Sequence, residues 1–413
     1  MTLNRKNNRF SNNKGRNRYN GFNHTAGRKK TFYKNSYFKD PILEAGTYKA
    51  EPVVGTLKRT ERGALLLKPE RSFRPEEKDI IVKQDLCRRF GLVNGAIVKG
   101  RMADVNGINW VMEVDSVNGI LPEVFRFRPK LVEMPAISPN ERYKLGDSGD
   151  ETMRIVDLIA PIGKGTRALI VSPPKAGKTT ILEKIARSVK DLYPKTHVVV
   201  LLIDERPEEV TQFRRMLPDV DIWASNNDQE PRDHVNLLRQ AMEQVKVELE
   251  CGGDIVVLLD SITRVGRAFN LNINNNQKTL SGGLSPNAME IPRQFFGLAR
   301  KIENGGSLTI IATALIDTGS RMDELIFQEF KGTGNCEIVL DRQLAEARIF
   351  PAINIGLSGT RHEEKLYTDA DYRRLVQLRR ILADESSKEA TRILLELIRR
   401  YPTNKELLKT IKG

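Results

Sequence analysis

Sulfur chemistry is nearly absent: Cys87, Cys251 and Cys336 are the only cysteines in 413 residues. They are odd in number, far apart and without histidines at ligand intervals, which excludes a disulfide framework and a zinc site and fits a reducing cytosol. No apolar run reaches the roughly 18–20 residues of a membrane span, and the amino terminus lacks the apolar core of a secretion signal. A cytoplasmic chain is the expectation. Acids are missing from residues 1–39, which hold eleven Lys/Arg; the rest balances 56 basic against 53 acidic residues, so the net charge of +14 is mostly a tail. No internal repeat is present.

What is there divides into segments. Residues 1–47 form a basic tail, rich in Asn and Arg, with interspersed aromatics and neither helical nor strand periodicity, which reads as disordered. It is either a solvated arm or an RNA contact, in which aromatics stack on bases and cations meet phosphates. Between residues 48 and 128, short β-type runs at 53–57, 64–68, 79–82, 96–102 and 110–114 are separated by Gly, Asn and Pro. Five short strands in this span suggest a small barrel, either an OB-type fold that binds single-stranded nucleic acid or a plain structural barrel. Pro129, Pro135, Pro139, Gly146 and Gly149 mark residues 129–150 as a linker. From 151 to 413, apolar runs at 168–171, 197–203, 254–259 and 308–314 recur at βαβ spacing. Helical faces lie between them, Ile181, Leu182, Ile185 and Val189 in one, Val235, Leu238, Met242, Val245 and Leu249 in another. This is the pattern of a parallel α/β sheet. Two short helices, broken at Tyr401 and Pro402, are expected at the end.

The strongest motif is Ser172-Pro173-Pro174-Lys175-Ala176-Gly177-Lys178-Thr179, between an apolar run and a helix starting near Lys178. It is a Walker A loop with Ser in place of the first Gly. Backbone N–H groups from Ala176 to Thr179 can ring a β-phosphate at the helix N-terminus, Lys178 can neutralise phosphate charge and the Thr179 hydroxyl can hold Mg²⁺. Pro173 and Pro174 have no N–H to donate and shape the loop. Upstream, Gly163-Lys164-Gly165-Thr166-Arg167 is a cationic turn leading into the same strand, either bordering the nucleotide or an ordinary surface turn.

The run 254–259 ends in Asp260-Ser261, where a carboxylate at the tip of a buried strand meets the Walker B requirement of orienting Mg²⁺. The run 197–203 ends in Asp204-Glu205-Arg206 and puts another acid at the same carboxyl edge, where open α/β sheets bind ligands. Glu205 is the candidate for polarising the attacking water; a helix cap or solvated strand end is the plain alternative for either acid. Two loops, 270–283 with Lys278 and 317–321 with Arg321, are either ordinary surface loops or grips on a phosphate chain. Ser358-Gly359-Thr360-Arg361 places an arginine on a flexible turn, either solvated or a finger acting on a neighbour's nucleotide. Phe350 reads as core from the residues alone.

These motifs together resemble the Rho family of bacterial transcription termination factors. The likeness rests on Pro-Pro-Lys-Ala-Gly-Lys-Thr, on the stretches 201–210, 258–264, 305–320 and 330–335, and covers about residues 150–365. The resemblance implies a RecA-like P-loop ATPase core behind an OB-type barrel. It implies that Gly163 through Ala168, Lys175 through Thr180 and Arg206 bind ATP, that Lys178 and Asp260 serve phosphate and Mg²⁺, that Glu205 activates water and that Arg361 comes from the neighbouring subunit. Phe350 would pack on adenine. Lys278, Thr279, Leu280, Ser281, Gly282, Gly283 and Arg321 would form the RNA-translocating site.

The barrel resembles the family's primary RNA site less closely. Gly63, Ala64, Leu66, Lys68, Asp79, Ile81, Arg88 and Arg89 occupy its positions. Where the pattern is Asp-Gly-Phe-Gly-Phe, this chain has Arg62-Gly63-Ala64-Leu65-Leu66, and Ile81 stands where a tyrosine is usual; Arg88 and Arg89 match. Stacking is worth about 1–3 kcal/mol per base, so the missing aromatics predict weaker or retuned loading on pyrimidine-rich RNA. The family's usual amino-terminal helical piece is replaced by the basic tail, which is expected to add RNA affinity. The implied protein is a homohexameric, ATP-driven helicase that pulls single-stranded RNA from a transcribing polymerase. Its rivals are an RNA-independent ring ATPase of the rotary synthase class and an RNA-binding protein with a structural P-loop.

Overall fold

The structure is a computed structural model that describes residues 49–61, 63–68, 72–73, 80–273 and 282–411. The expectations for the tail at 1–47, for Arg62 and Asp79, and for Lys278, Thr279, Leu280 and Ser281 fall outside those residues.

All five short runs of the amino-terminal half become strands: β1 (Glu51–Thr60), β2 (Gly63–Leu67), β3 (Ile80–Val82), β4 (Ile97–Val105) and β5 (Ile108–Val117). They close as a barrel in the order β1-β2-β3-β5-β4, antiparallel except for β3 against β5. Val53, Leu57, Leu66, Val98 and Val111 fill the interior, and α1 (Gln84–Arg89) and α2 (Pro122–Phe125) flank it.

The linker is strapped down. Its β6 (Ala136–Ile137) pairs with a later strand, Tyr143 N–H donates to Ile162 O, and the buried Tyr143 ring meets Tyr193 edge-on. Helix α3 (Glu151–Ile159) then opens the motor half.

There, β7 (Arg167–Ser172), α4 (Lys178–Leu192), β8 (His197–Glu205), α5 (Pro207–Met216), β9 (Asp221–Asn226), α6 (Pro231–Glu250), β10 (Asp254–Asp260) and α7 (Ile262–Asn272) alternate. After α8 (Glu290–Gly297) come β11 (Arg300–Ile302), β12 (Ser307–Leu315), α9 (Arg321–Lys331), β13 (Cys336–Val339), α10 (Arg342–Glu346) and β14 (Gly359–Thr360). Parallel strands β13-β7-β12-β10-β8-β9 form the sheet, with β14 antiparallel at its edge. Alternate residues of these apolar strands face opposite sides: Ile170, Val200 and Leu258 pack toward α3 and α4, while Val171, Leu201 and Leu259 pack toward α6 and α7. Helices on both faces explain why the strands read as continuous apolar runs. The carboxy-terminal pair appears as α12 (Ser387–Arg400) and α13 (Asn404–Thr410), preceded by α11 (Asp369–Ala383).

The barrel is seated on α6. Thr56 Oγ1 donates to Gln244 Oε1 (2.8 Å), Arg128 Nε to Glu250 Oε2 (3.0 Å), and a Cβ on Gly95, at φ +83°, would lie 2.3 Å from the carbonyl carbon of Glu243. Only glycine permits that approach. Phe73 of the barrel half meets Trp223 of β9 edge-on.

Candidate nucleotide site and RNA-facing loops

The order β7-β12-β10-β8 brings the chemistry together at one edge. The loop after β7 turns through Lys175 at φ +64° and Gly177 at φ +96°, and α4 begins at Lys178. Ala176 is buried, Lys178 and Thr179 are half-buried, and Lys175 and Thr180 are exposed. Lys178 Nζ donates to Asp260 Oδ1 (2.8 Å) and Oδ2 (2.6 Å), and Thr313 Oγ1, on the strand between them, donates to the same Oδ1 (2.8 Å).

One strand farther, the Glu205 side chain is 1 % exposed. Its Oε1 accepts from the Arg206 backbone N–H (3.0 Å) and from Arg264 Nη2 (3.1 Å), and Oε2 has no partner among the described residues. Burial pushes the Glu205 carboxyl above its ordinary range, against the Arg264 guanidinium and the Arg206 N–H, which hold it down. A carboxylate with one oxygen fixed and one orphaned can receive a water. The Arg206 side chain is exposed beside it. Phe350 lies in the loop after α10, which follows β13 at this same edge, and is 49 % exposed, so the reading of it as core is corrected: the turn leaves its ring in solvent.

The turn Gly163 to Arg167, with Ala168, is not brought to the P-loop of its own protomer. It sits at the opposite end of β7, whose six residues span about 20 Å. There Lys164 Nζ meets Asp254 (2.9 Å) and Glu141 (2.6 Å), Gly165 N–H donates to Thr309 Oγ1 (2.9 Å), and Arg167 Nε to Thr333 O (2.9 Å). Gly163 N–H is taken by Thr166 Oγ1 (3.0 Å), and Ala168 pairs with Ile311 and Cys336 inside the sheet. Asp254 opens β10 and Asp260 closes it, so the two lysine contacts mark opposite ends of one strand. Arg361 belongs to that far end. Thr360 pairs with Cys336, which pairs with Ala168, and Arg361 itself is exposed, its N–H on Asn335 O (2.8 Å).

The described end of the first loop, at Gly282 and Gly283, meets the second. Helix α7 runs on to Asn272, beyond the expected loop start at Asn270, whose side chain clasps Gly283 O (3.0 Å) and Ser285 N–H (2.8 Å). A Cβ on Gly282 would lie 3.4 Å from Arg321 Cβ. Arg321 opens α9 and is exposed; buried Asp323, two residues on, accepts from Thr318 Oγ1 (2.6 Å) and Arg267 Nε (2.8 Å).

In the barrel, Ala64, Leu66 and Ile81 are 8 %, 3 % and 3 % exposed. Their side chains fill the barrel and its seam, and none offers a stacking face. Gly63 and Lys68 are half-buried, and Arg88 and Arg89 are exposed at the end of α1.

Arg264, Thr313, Ser225 and His234 were not singled out as site residues. A threonine inside an apolar run was a signal for Thr313. The others depend on contacts between distant segments.

Fold and geometry together define a P-loop nucleotide-binding domain joined to a small barrel. Residues 152–360 match the ATP synthase alpha/beta family, nucleotide-binding domain, and residues 53–123 match the Rho termination factor, RNA-binding domain. Among solved structures, an ATPase from the type III secretion system of pathogenic bacteria aligns with TM-score 0.56 at 21% identity, over 67% of this chain and 85% of that one, a likeness of fold. A transcription termination factor Rho from Streptobacillus moniliformis is 44% identical over 341 residues, 82% of each chain. That of Aquifex aeolicus is 44% identical over 384 residues, 91% of this chain and 88% of the relative. The chain belongs to the transcription termination factor Rho family.

Proposed function

We propose that the chain is an RNA-dependent ATPase that assembles as a homohexameric ring in the cytoplasm, pulls single-stranded RNA through its centre and releases transcripts from RNA polymerase. The carrying observation is a division of labour along the sheet. Lys178, Asp260 and Glu205 stand at one edge of the protomer and Arg361 at the other, out of reach of its own P-loop, as a site shared between neighbours requires.

The residues fit Mg²⁺·ATP. Thr179 and Asp260 offer hard oxygen ligands, the chemistry Mg²⁺ selects, and would hold the ion through its waters. When bound, the ion neutralises phosphate charge. The P-loop amides and Lys178 cradle the β- and γ-phosphates, Phe350 packs on adenine and Arg206 lies beside the phosphates. Glu205 orients a water in line with the γ-phosphorus. As the water oxygen bonds to phosphorus, the bond to the ADP oxygen breaks, and the water's proton passes to Glu205 or the phosphate. The neighbour's Arg361 stabilises the charge that develops. Gly282, Gly283 and Arg321, with Lys278 to Ser281, grip the RNA backbone. Arg88 and Arg89 make the barrel's phosphate contacts, residues 48–128 being the RNA-binding domain and 151–413 the motor.

The test is ATP turnover with poly-pyrimidine RNA, with poly-purine RNA and without RNA, together with displacement of an annealed strand. Strong stimulation with displacement is expected. Equal turnover in all three supports the rotary-synthase-like reading instead.

A further inference from the structure

Glu205 ends a strand that departs from its register. β8 and β9 pair regularly to Leu202 and Ala224 and resume at Glu205 and Asn226 after a bulge. Within the bulge Asp204 takes φ +57°, in the left-handed region that few non-glycine residues occupy. A bulge here re-aims the next side chain, which is Glu205.

The surroundings come from three elements. Ser225 Oγ, in β9, accepts from the Asp204 N–H (3.3 Å), and His234 Nδ1, in the first turn of α6, lies 2.8 Å from that same Oγ. His234 Nε2 lies 3.8 Å from Asp204 Oδ1. From α7, Arg264 donates through Nη1 to the Asp204 carbonyl and through Nη2 to Glu205 Oε1 (3.1 Å). Ser225 and His234 are 2 % and 4 % exposed. A neutral tautomer satisfies these contacts: the Ser225 hydroxyl donates to Nδ1 while accepting from the Asp204 N–H, which leaves Nε2–H toward the Asp204 carboxylate. Burial keeps the ring below its ordinary pKa, in keeping with that neutral tautomer.

We propose that His234 is a positioning residue for ATP hydrolysis: through Ser225 it holds Asp204 in its left-handed conformation and thereby fixes the direction of the Glu205 carboxyl. The inference rests on the reading of Glu205 as the group that orients water. A histidine that only filled space behind the sheet would influence stability and leave kcat alone.

Steady-state ATPase of the full chain with saturating poly-pyrimidine RNA tests it, using Ser225→Ala, His234→Ala, their double variant and His234→Asn, each also in a Glu205→Gln background. His234→Ala and Ser225→Ala are expected to lower kcat about ten-fold or more, since a misplaced catalytic group can cost about 10²-fold, with KM for ATP within about two-fold. The double variant should lose no more than the worse single, and His234→Asn, which can still bond Ser225, should recover most of the rate. With Glu205→Gln already present, His234→Ala should cost nothing further. Wild-type kcat in Ser225→Ala, or an equal loss in the Glu205→Gln background, overturns the inference. Should His234→Ala fail to fold by thermal melt, Ser225→Ala and His234→Asn decide alone. A wild-type chain that turns over no ATP overturns the reading of the site itself.

Discussion

Lys178 Nζ bridges both oxygens of Asp260, at 2.6 and 2.8 Å, so the group that would serve phosphate stands within reach of the group that would serve the metal. Lys178→Ala and Asp260→Asn are each expected to lower kcat by about 10²–10³-fold. Lys178→Ala also leaves a carboxylate that is 1 % exposed without its cation, so its melting temperature should fall and recover in Lys178→Ala/Asp260→Asn. Differential scanning of the three variants checks this.

Glu205→Gln should reduce kcat by about 10²–10⁴-fold while nucleotide affinity, followed with a fluorescent ADP, stays near wild type. The sign of the pH effect follows from burial. A base whose pKa is raised loses its charge earlier as acid is added, so the acidic limb of kcat/KM should lie above the ordinary glutamate range.

Arg361→Ala should lower kcat by about 10³–10⁵-fold with RNA present. Neither Arg361→Ala nor Lys178→Ala protomers should work alone. Mixed after dissociation, they should regain part of the activity, because some interfaces then pair an intact P-loop with an intact arginine. No recovery in the mixing titration would rule out a shared site.

His197 opens β8 between two carboxylates, with Nδ1 2.8 Å from Glu248 Oε2 and Nε2 3.0 Å from Asp221 Oδ2. Burial opposes its charge, but the carboxylates push its pKa up to about 10. A raised pKa stabilises the fold fully below the ordinary histidine value of roughly 6.5 and loses that contribution as pH climbs through the folded value. The urea midpoint should therefore decline between about pH 6.5 and 10, and His197→Gln should flatten that part of the curve.

RNA bound by a barrel in which Leu66 and Ile81 are buried aliphatics should depend on phosphates and so on salt. Arg88→Ala and Arg89→Ala are each expected to lower the salt slope of binding by about one, nearly equally for poly-pyrimidine and poly-purine RNA. A marked pyrimidine preference in the wild type would overturn this prediction.

Much of this site was legible because its parts are local. Ser172 to Thr179 lie between an apolar run and an amphipathic face, and Asp260 and Glu205 each end such a run. The short β9 and β13 were missed: Asp221 to Asn226 mixes polar and apolar residues, and its strand character comes from pairing with β8. Gly163 to Arg167 lead into β7 and the P-loop follows it, so the strand's six residues separate the two within one protomer. Sequence could not show Arg264 reaching back across 59 positions to Glu205. Phe350, between Ile349 and Pro351, carries no mark of a ring left in solvent.

Gly95 has a mechanical consequence. With its Cα pressed on the Glu243 backbone and Thr56 bonded to Gln244, the barrel is locked to the motor rather than hinged on it. Tension on a transcript held by the barrel would thus load α6, whose opposite tip carries His234, together with β9, which Phe73 meets at Trp223. Even an alanine at Gly95 would wedge the joint open, loosening the transmission of force without touching a reactive group.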